Sequence, residues 1–249
     1  MLARLKGVGK TFASGTEALR DFDLTLHEHE FLSLLGPSGC GKSTALRLIA
    51  GLAAPSGGTI RWRDTDKSTD RRLAVVFQEP TLMPWATAFD NVYLPLRLDG
   101  LARRDAASRV ETALGMVGLE GFEAAYPREL SGGMKMRVSI ARAIVTEPEL
   151  LLMDEPFAAL DEITRFKLND DLLALWQEKR WTVVFVTHSV FESVYLSSRI
   201  VVMTPRPGRE AAELQIDAPY PRLDAFRTST VYNDHCRKVS KALQEAMSA

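Results

Sequence analysis

The chain has 249 residues, 46% of them hydrophobic and 25% charged, with a formal net charge of -1; this is ordinary globular material, enough for one large α/β domain or two small ones. The balance lacks the basic footprint that nucleic-acid binders carry, so no nucleic acid is expected among its partners. No stretch approaches the roughly 20 consecutive apolar residues of a membrane span, the opening MLARLKGVGKTFASG lacks the apolar centre of a secretory signal, and the two cysteines, Cys40 and Cys236, fit a reducing compartment.

Residues 1–30 and 58–72 carry near-alternating patterns, TEALRDFDLTLHEHE and GGTIRWRD among them, and predict an antiparallel layer. FLSLL (Phe31 to Leu35) is a continuous apolar run, the signature of a strand buried on both faces. It leads into a glycine loop and the helical pattern KSTALRLIAGL. A second such run, LAVVF (Leu73 to Phe77), precedes a stretch from about Phe89 to Gly132 without convincing strands. There, RRDAASRVETALGMVG sets Ala106, Ala107, Val110, Ala113, Leu114 and Val117 on one helical face. LLLM (Leu150 to Met153), the helical RFKLNDDLLALWQEKR, VVFV (Val183 to Val186) and IVVM (Ile200 to Met203) follow. Strand and helix thus alternate as in a doubly wound parallel sheet. TPRPGRE then marks a boundary, and the remaining forty or so residues hold a strand candidate (AAELQI), a proline linker (APYPR) and a terminal helix.

Open parallel sheets bind ligands beyond the carboxyl ends of their strands, and here those ends carry triphosphate chemistry. FLSLL runs into Gly36, Pro37, Ser38, Gly39, Cys40, Gly41, Lys42, Ser43 and Thr44, which fit the phosphate-loop pattern in its strand–loop–helix setting. The glycines let backbone N–H groups turn onto phosphate oxygens. Lys42 is suited to the β and γ phosphates and the Ser43 hydroxyl to Mg²⁺, with Thr44 packing alongside. LLLM ends in Asp154 and Glu155, carboxylates that are costly at an apolar strand tip without a cation or partner. Asp154 is the candidate for the hydration shell of Mg²⁺ and Glu155 for the general base on the attacking water, the alternative being a solvated acidic turn. Gln78 after LAVVF and His188 after VVFV would each alone read as a hydrogen-bonded strand terminus. Together with the others they suit a bridge between Mg²⁺ and water and a donor to the γ phosphate.

A second glycine pair, in ELSGGMKMR, also opens a helix. The ordered set GPSGCGKST, Gln78, LSGGM (Leu130 to Met134), LLLMDEP, ALD (Ala159 to Asp161) and His188 resembles the ATP-binding subunits of ABC transporters over roughly Leu2 to Arg209. The resemblance implies an α/β fold: a P-loop NTPase core with a mostly parallel sheet, an antiparallel β layer and a helical subdomain. It implies an ATPase domain over 1–209, with the helical subdomain inserted at about 88–135, and a C-terminal extension over 210–249. It also implies a head-to-tail homodimer in which Ser131, Gly132 and Gly133 clamp the γ phosphate held by the other copy, ATP and Mg²⁺ being bound at the shared site. Asp161 would oppose its counterpart at the dimer centre. Phe12 takes the place of the aromatic that stacks on adenine, core packing being the alternative. Met134 departs from the glutamine usual at its position.

VFQEPTLMPWATAFDNVYLPL, DEITRFKLNDDLL and FVTHSVFESVYLSSRIVVMTPRPGR look like the nitrate, sulfonate and taurine branch of bacterial importers, some of whose relatives carry pyrimidine precursors. This implies a Mg²⁺-dependent ATPase on the cytoplasmic face of the inner membrane, peripheral to integral-membrane permease subunits and served indirectly by an extracytoplasmic solute-binding protein. In that family Leu82, Met83, Pro84 and Trp85 fall where the permease docks, local packing being the other reading. The rival functions are an exporter ATPase, a non-transport ABC ATPase, and a small-molecule kinase or GTPase. The non-transport class loses ground because neither long coiled-coil insertions nor a second cassette occurs in this sequence, and the kinase or GTPase because no [NT]-K-x-D guanine motif occurs and a kinase leaves LSGGM and His188 without a role.

Overall fold

The computed structural model describes residues 1–63 and 72–248. The chain divides into two compact units, one built from the segments before 72 and after 178, the other from Arg72–Glu178.

The first unit holds two sheets. β1 (Ala3–Thr11) pairs antiparallel with β2 (Glu17–Leu26) and with β4 (Gly57–Trp62), Ala3 standing opposite Leu26 on one side and Trp62 on the other. The alternation read from the sequence is the cause: Ala3, Leu5 and Val8 of β1 and Phe22, Leu24 and Leu26 of β2 are buried, with exposed residues between them. The part of the expected 58–72 layer that falls on 64–71 lies outside the described residues. In the second sheet β3 (Phe31–Leu35) runs parallel to β7 (Thr182–Thr187) on one side and to β8 (Arg199–Met203) on the other. Every residue of these three strands is buried, as their unbroken apolar runs require. β9 (Glu210–Gln215) adds an antiparallel edge to β8. Helix α1 (Lys42–Ile49) follows β3 and packs on β7. α6 (Val190–Leu196) follows β7, and α7 (Asp224–Arg227) and the long α8 (Thr230–Ser248) close the chain, α8 packing on α6, β8 and β9.

In the second unit β5 (Leu73–Val76) is parallel to β6 (Leu150–Asp154). The stretch expected to lack strands forms α2 (Ala88–Leu98), α3 (Arg103–Met116), a short 3₁₀ turn at Pro127–Glu129 and then α4 (Gly132–Ile144). The apolar face predicted on α3 is the one turned inward: Ala106, Val110, Ala113, Leu114 and, just past the helix, Val117 are buried, and Ala107 is half-buried. α5 (Glu162–Lys179) follows β6. The expected fold class therefore holds: a P-loop NTPase-type α/β core, an antiparallel β layer and a helical subdomain. Among the described residues no helix is long and apolar enough to cross a membrane.

Candidate functional site

Leu35 of β3 is paired with Thr187 of β7, so the phosphate loop and His188 leave the same carboxyl end of adjacent parallel strands. The loop closes onto α1 through Gly41, whose backbone is left-handed at φ 109 and where an added Cβ would lie 2.7 Å from the Ala18 carbonyl oxygen; only glycine fits there. No side chain caps the N-terminus of α1, and the first turn of a helix carries amide donors that its own carbonyls do not satisfy. That is a setting for an anion. Lys42 is only 3% exposed, and its Nζ donates to the carbonyl oxygens of Gly36 at 2.8 Å and Pro37 at 3.0 Å. The ammonium is thus held on the loop it would serve. A cradle of this kind, an uncapped helix start with a tethered lysine, fits a polyphosphate.

His188 is exposed on the turn between β7 and α6. Its neighbours fix that turn: the Thr187 hydroxyl donates to Glu192 Oε2 at 2.6 Å and accepts from the Ser189 amide at 3.0 Å, while Ser189 Oγ caps α6 by accepting from the Glu192 amide. Phe12 sits at the tip of the β1–β2 hairpin, its amide donating to Thr16 O and its carbonyl accepting from Gly15. It is 41% exposed and so not packed in the core, with Lys10 Nζ over its ring 5.5 Å from the centroid.

In the second unit Val76 is paired with Met153, so Gln78, two residues past β5, and Asp154, the last residue of β6, share one strand end. Gln78 is exposed, and Asp154 and Glu155 are half-buried above the buried Pro156 and Phe157. Glu155 has φ 45, a left-handed conformation that costs a non-glycine residue about 1 kcal/mol or more. Strain of this kind persists where the surroundings impose it, here at the turn from β6. No cluster of three or more His, Cys, Asp or Glu able to hold a metal occurs among the described residues. A single carboxylate such as that of Asp154 suits Mg²⁺, which keeps waters and substrate phosphates as ligands.

Ser131 is the N-cap of α4, its Oγ accepting from the Met134 amide at 3.2 Å. Ser131 and Gly132 are exposed, and the first turn of α4 contains no acidic residue to offset its positive end. Gly133 is buried against Thr164, whose Cγ2 would be 2.7 Å from a Cβ at that position. Thr164 in turn binds Asp161, which accepts from its amide at 3.0 Å and its hydroxyl at 2.7 Å. These two donors hold the Asp161 carboxyl below its ordinary range. One threonine thereby joins the second glycine pair to Asp161. In the stretch after Gln78, Leu82 and Met83 are half-buried, whereas Trp85 is 76% exposed and so is not packed locally.

Sequence reading passed over two arginines. Arg206, in the turn from β8 to β9, donates to the phosphate loop, and Arg222, within the stretch read as a proline linker, is buried. Neither position belongs to an apolar period or to a phosphate motif, and only the flanking prolines marked the backbone there as fixed.

A family model described as ABC transporter matches residues 19–158. The chain is 44% identical to an aliphatic sulfonates import ATP-binding protein of Bacillus licheniformis, over 94% of this chain and 91% of that protein. It is 44% identical to a taurine import ATP-binding protein of Rhizobium johnstonii, over 80% and 77% respectively. Among solved structures, a dimeric post-hydrolysis state of an ATP-binding cassette bound to ADP and Pi superposes with a TM-score of 0.76 at 34% identity, covering 88% of this chain and all (100%) of that one.

Proposed function

The chain belongs to the ATP-binding family of ABC transporters, and from that membership we propose that it is the ATP-hydrolysing motor subunit of an importer for a small sulfonate- or taurine-like solute. The observation that carries the ATPase reading is the shared strand ends: Leu35 opposite Thr187 groups the phosphate loop with His188, and Val76 opposite Met153 groups Gln78 with Asp154 and Glu155. The choice of solute is supported by the sulfonate and taurine relatives, each matched over most of its length.

In this reading the amides of Ser38 to Thr44 and the start of α1 receive the β and γ phosphates, and Lys42 exchanges the Gly36 and Pro37 carbonyls for phosphate oxygen. Ser43 and Gln78 would hold Mg²⁺, with Asp154 on its hydration shell, and the ion would supply charge neutralisation on the phosphate oxygens. Glu155 accepts a proton from the attacking water, and His188 donates a hydrogen bond to the γ phosphate, countering the charge that builds there. Phe12 stacks on the adenine. Two copies pair head to tail, so that Ser131, Gly132 and Gly133 of one copy complete the phosphate site of the other, with Asp161 at the centre. The exposed Trp85, beside Leu82, Met83 and Pro84, receives the membrane permease at the cytoplasmic face, and a solute-binding protein acts from the far side.

Phosphate release measured without any acceptor, with ATP against GTP, separates the reading from a kinase or a GTPase. The wild type releases phosphate from ATP in Mg²⁺. Glu155→Gln and His188→Ala lower the turnover about a hundredfold or more while keeping ATP affinity. Turnover of His188→Ala at the wild-type rate removes His188 from the site, and ADP formation that requires an acceptor and frees no phosphate makes the protein a kinase.

A further inference from the structure

The turn between β8 and β9 takes no part in the chemistry above, yet it is fastened to the phosphate loop. Arg206 Nε donates to the Gly39 carbonyl oxygen at 3.2 Å. Two residues on, Gly208 lies so close to the loop that an added Cβ would stand 2.1 Å from the Cys40 carbonyl oxygen. The turn is itself rigid: Thr204 N donates to Arg209 O, Arg209 N to Thr204 Oγ1, and Thr204 Oγ1 to Pro207 O. It is also tied to the start of β2, since Gly208 N donates to Ala18 O and Arg20 N to Gly208 O. β2 begins one residue after Thr16, which closes the Phe12 turn. A single short segment therefore grips both the loop and the strand leading from the Phe12 hairpin.

The peptide between Gly39 and Cys40 is planar, so fixing the Gly39 carbonyl also fixes the Cys40 N–H on its other edge. That N–H donates to Pro37 O at 3.3 Å, and Pro37 O is one of the two carbonyls holding Lys42 Nζ. A contact at Arg206 is in this way relayed through one peptide plane to the resting place of Lys42. The guanidinium brings a positive charge to the same spot, and its donor set can keep the carbonyl fixed while the loop fills.

We propose that Arg206 is a positioning residue for the phosphate loop, holding the Gly39–Cys40 peptide in the orientation that receives the polyphosphate. The inference rests on the ATPase reading above. Because Arg206 acts on the loop and not on the reacting atoms, its loss is read in affinity and not in turnover.

The test uses the full chain, with ADP and ATP affinity measured by calorimetry and steady-state hydrolysis followed for wild type, Arg206→Ala, Arg206→Gln and Arg206→Lys. Arg206→Ala raises KM for ATP and Kd for ADP about fivefold, with kcat within about twofold of wild type. Arg206→Lys recovers part of the loss by restoring charge and a donor, and Arg206→Gln recovers less. KM and Kd unchanged in Arg206→Ala overturn the inference, as does a fall in kcat at unchanged KM. If the alanine variant does not fold, the graded order of wild type, Lys and Gln decides the matter, and equal affinities across the three overturn it. A wild type that binds no nucleotide overturns the ATPase reading itself, whereas a wild type that binds while Arg206→Ala matches it overturns only the role of Arg206.

Discussion

Arg222 shows how a single side chain can organise a segment that carries no hydrophobic pattern. It is 3% exposed. Its Nη1 donates to the carbonyls of Val194, Tyr195 and Ser197, each at 2.9 Å, and its Nη2 to those of Ala218 at 3.1 Å and Ile216 at 3.4 Å. Val194 and Tyr195 belong to the last turn of α6, where the carbonyls lack helical partners and a cation is favoured. The rings of Tyr220 and Phe226 lie 4.1 Å and 5.2 Å from the guanidinium carbon. Burial lowers the pKa of this guanidinium from its ordinary value, but arginine stays charged in proteins, and the carbonyl dipoles and ring faces offset the lost hydration of Nη1 and Nη2, while the buried Nε has no hydrogen-bond partner. Arg222→Met strands those carbonyls in a dry site and is expected to cost about 2–4 kcal/mol in urea denaturation. Arg222→Lys recovers only part, because one ammonium cannot span two groups of carbonyls. A midpoint unchanged in Arg222→Met would show that water already satisfies them.

At the scale of elements, what the sequence made legible follows from what a period can encode. β3, β7 and β8 were visible because strands buried on both faces must be apolar throughout, and the inward face of α3 was visible because helical spacing repeats. The phosphate loop and the Asp154–Glu155 pair were visible because each stands at a strand end with chemistry that core packing does not require. Arg206 and Arg222 were hidden for the opposite reason: each binds backbone carbonyls, which any sequence supplies, so no partner residue marks the contact. The starts of α4 and α5 fall between these cases. Ser131 and Asp161, proposed for the nucleotide and the dimer centre, both cap helices, so the proposed functional roles would share their oxygens with structural ones. For Asp161 this has a pH signature. The Thr164 donors lower its folded pKa, so the ionised cap stabilises the fold at neutral pH, and that contribution is lost as pH falls through the carboxylate range. Compared with Asp161→Asn, the wild type is more stable at about pH 7, and the difference shrinks towards zero below about pH 3. Urea midpoints for both proteins across that range provide the check, and a pH-independent difference would mean that the charge on Asp161 does not contribute.

For the molecule as a whole, several groups proposed to act on nucleotide stand exposed in the single chain. Ser131, Gly132 and Asp161 are exposed, and beside Asp161 the apolar Ile163 is 83% exposed. A helix start with no acidic residue in its first turn, as at α4, favours an anion, and a second copy carrying a nucleotide would supply one. Association should then be linked to ATP by mass action: whatever binds the pair more tightly than the lone chain drives pairing, and hydrolysis would remove the γ phosphate that the proposed clamp holds. Glu155→Gln, which on the proposed role of Glu155 would bind ATP without consuming it, is therefore expected to sediment as a dimer in MgATP and as a monomer in MgADP. Adding Ser131→Arg, which places a bulky side chain at the clamp, should return it to monomer, with ATP still bound but at the weaker affinity of the lone chain. Wild-type hydrolysis should rise faster than linearly with protein concentration in the dilute range, where pairing limits the number of complete sites. Strictly linear rates at every dilution, together with a monomeric Glu155→Gln protein in ATP, would mean that one chain suffices and that the exposed clamp has another partner.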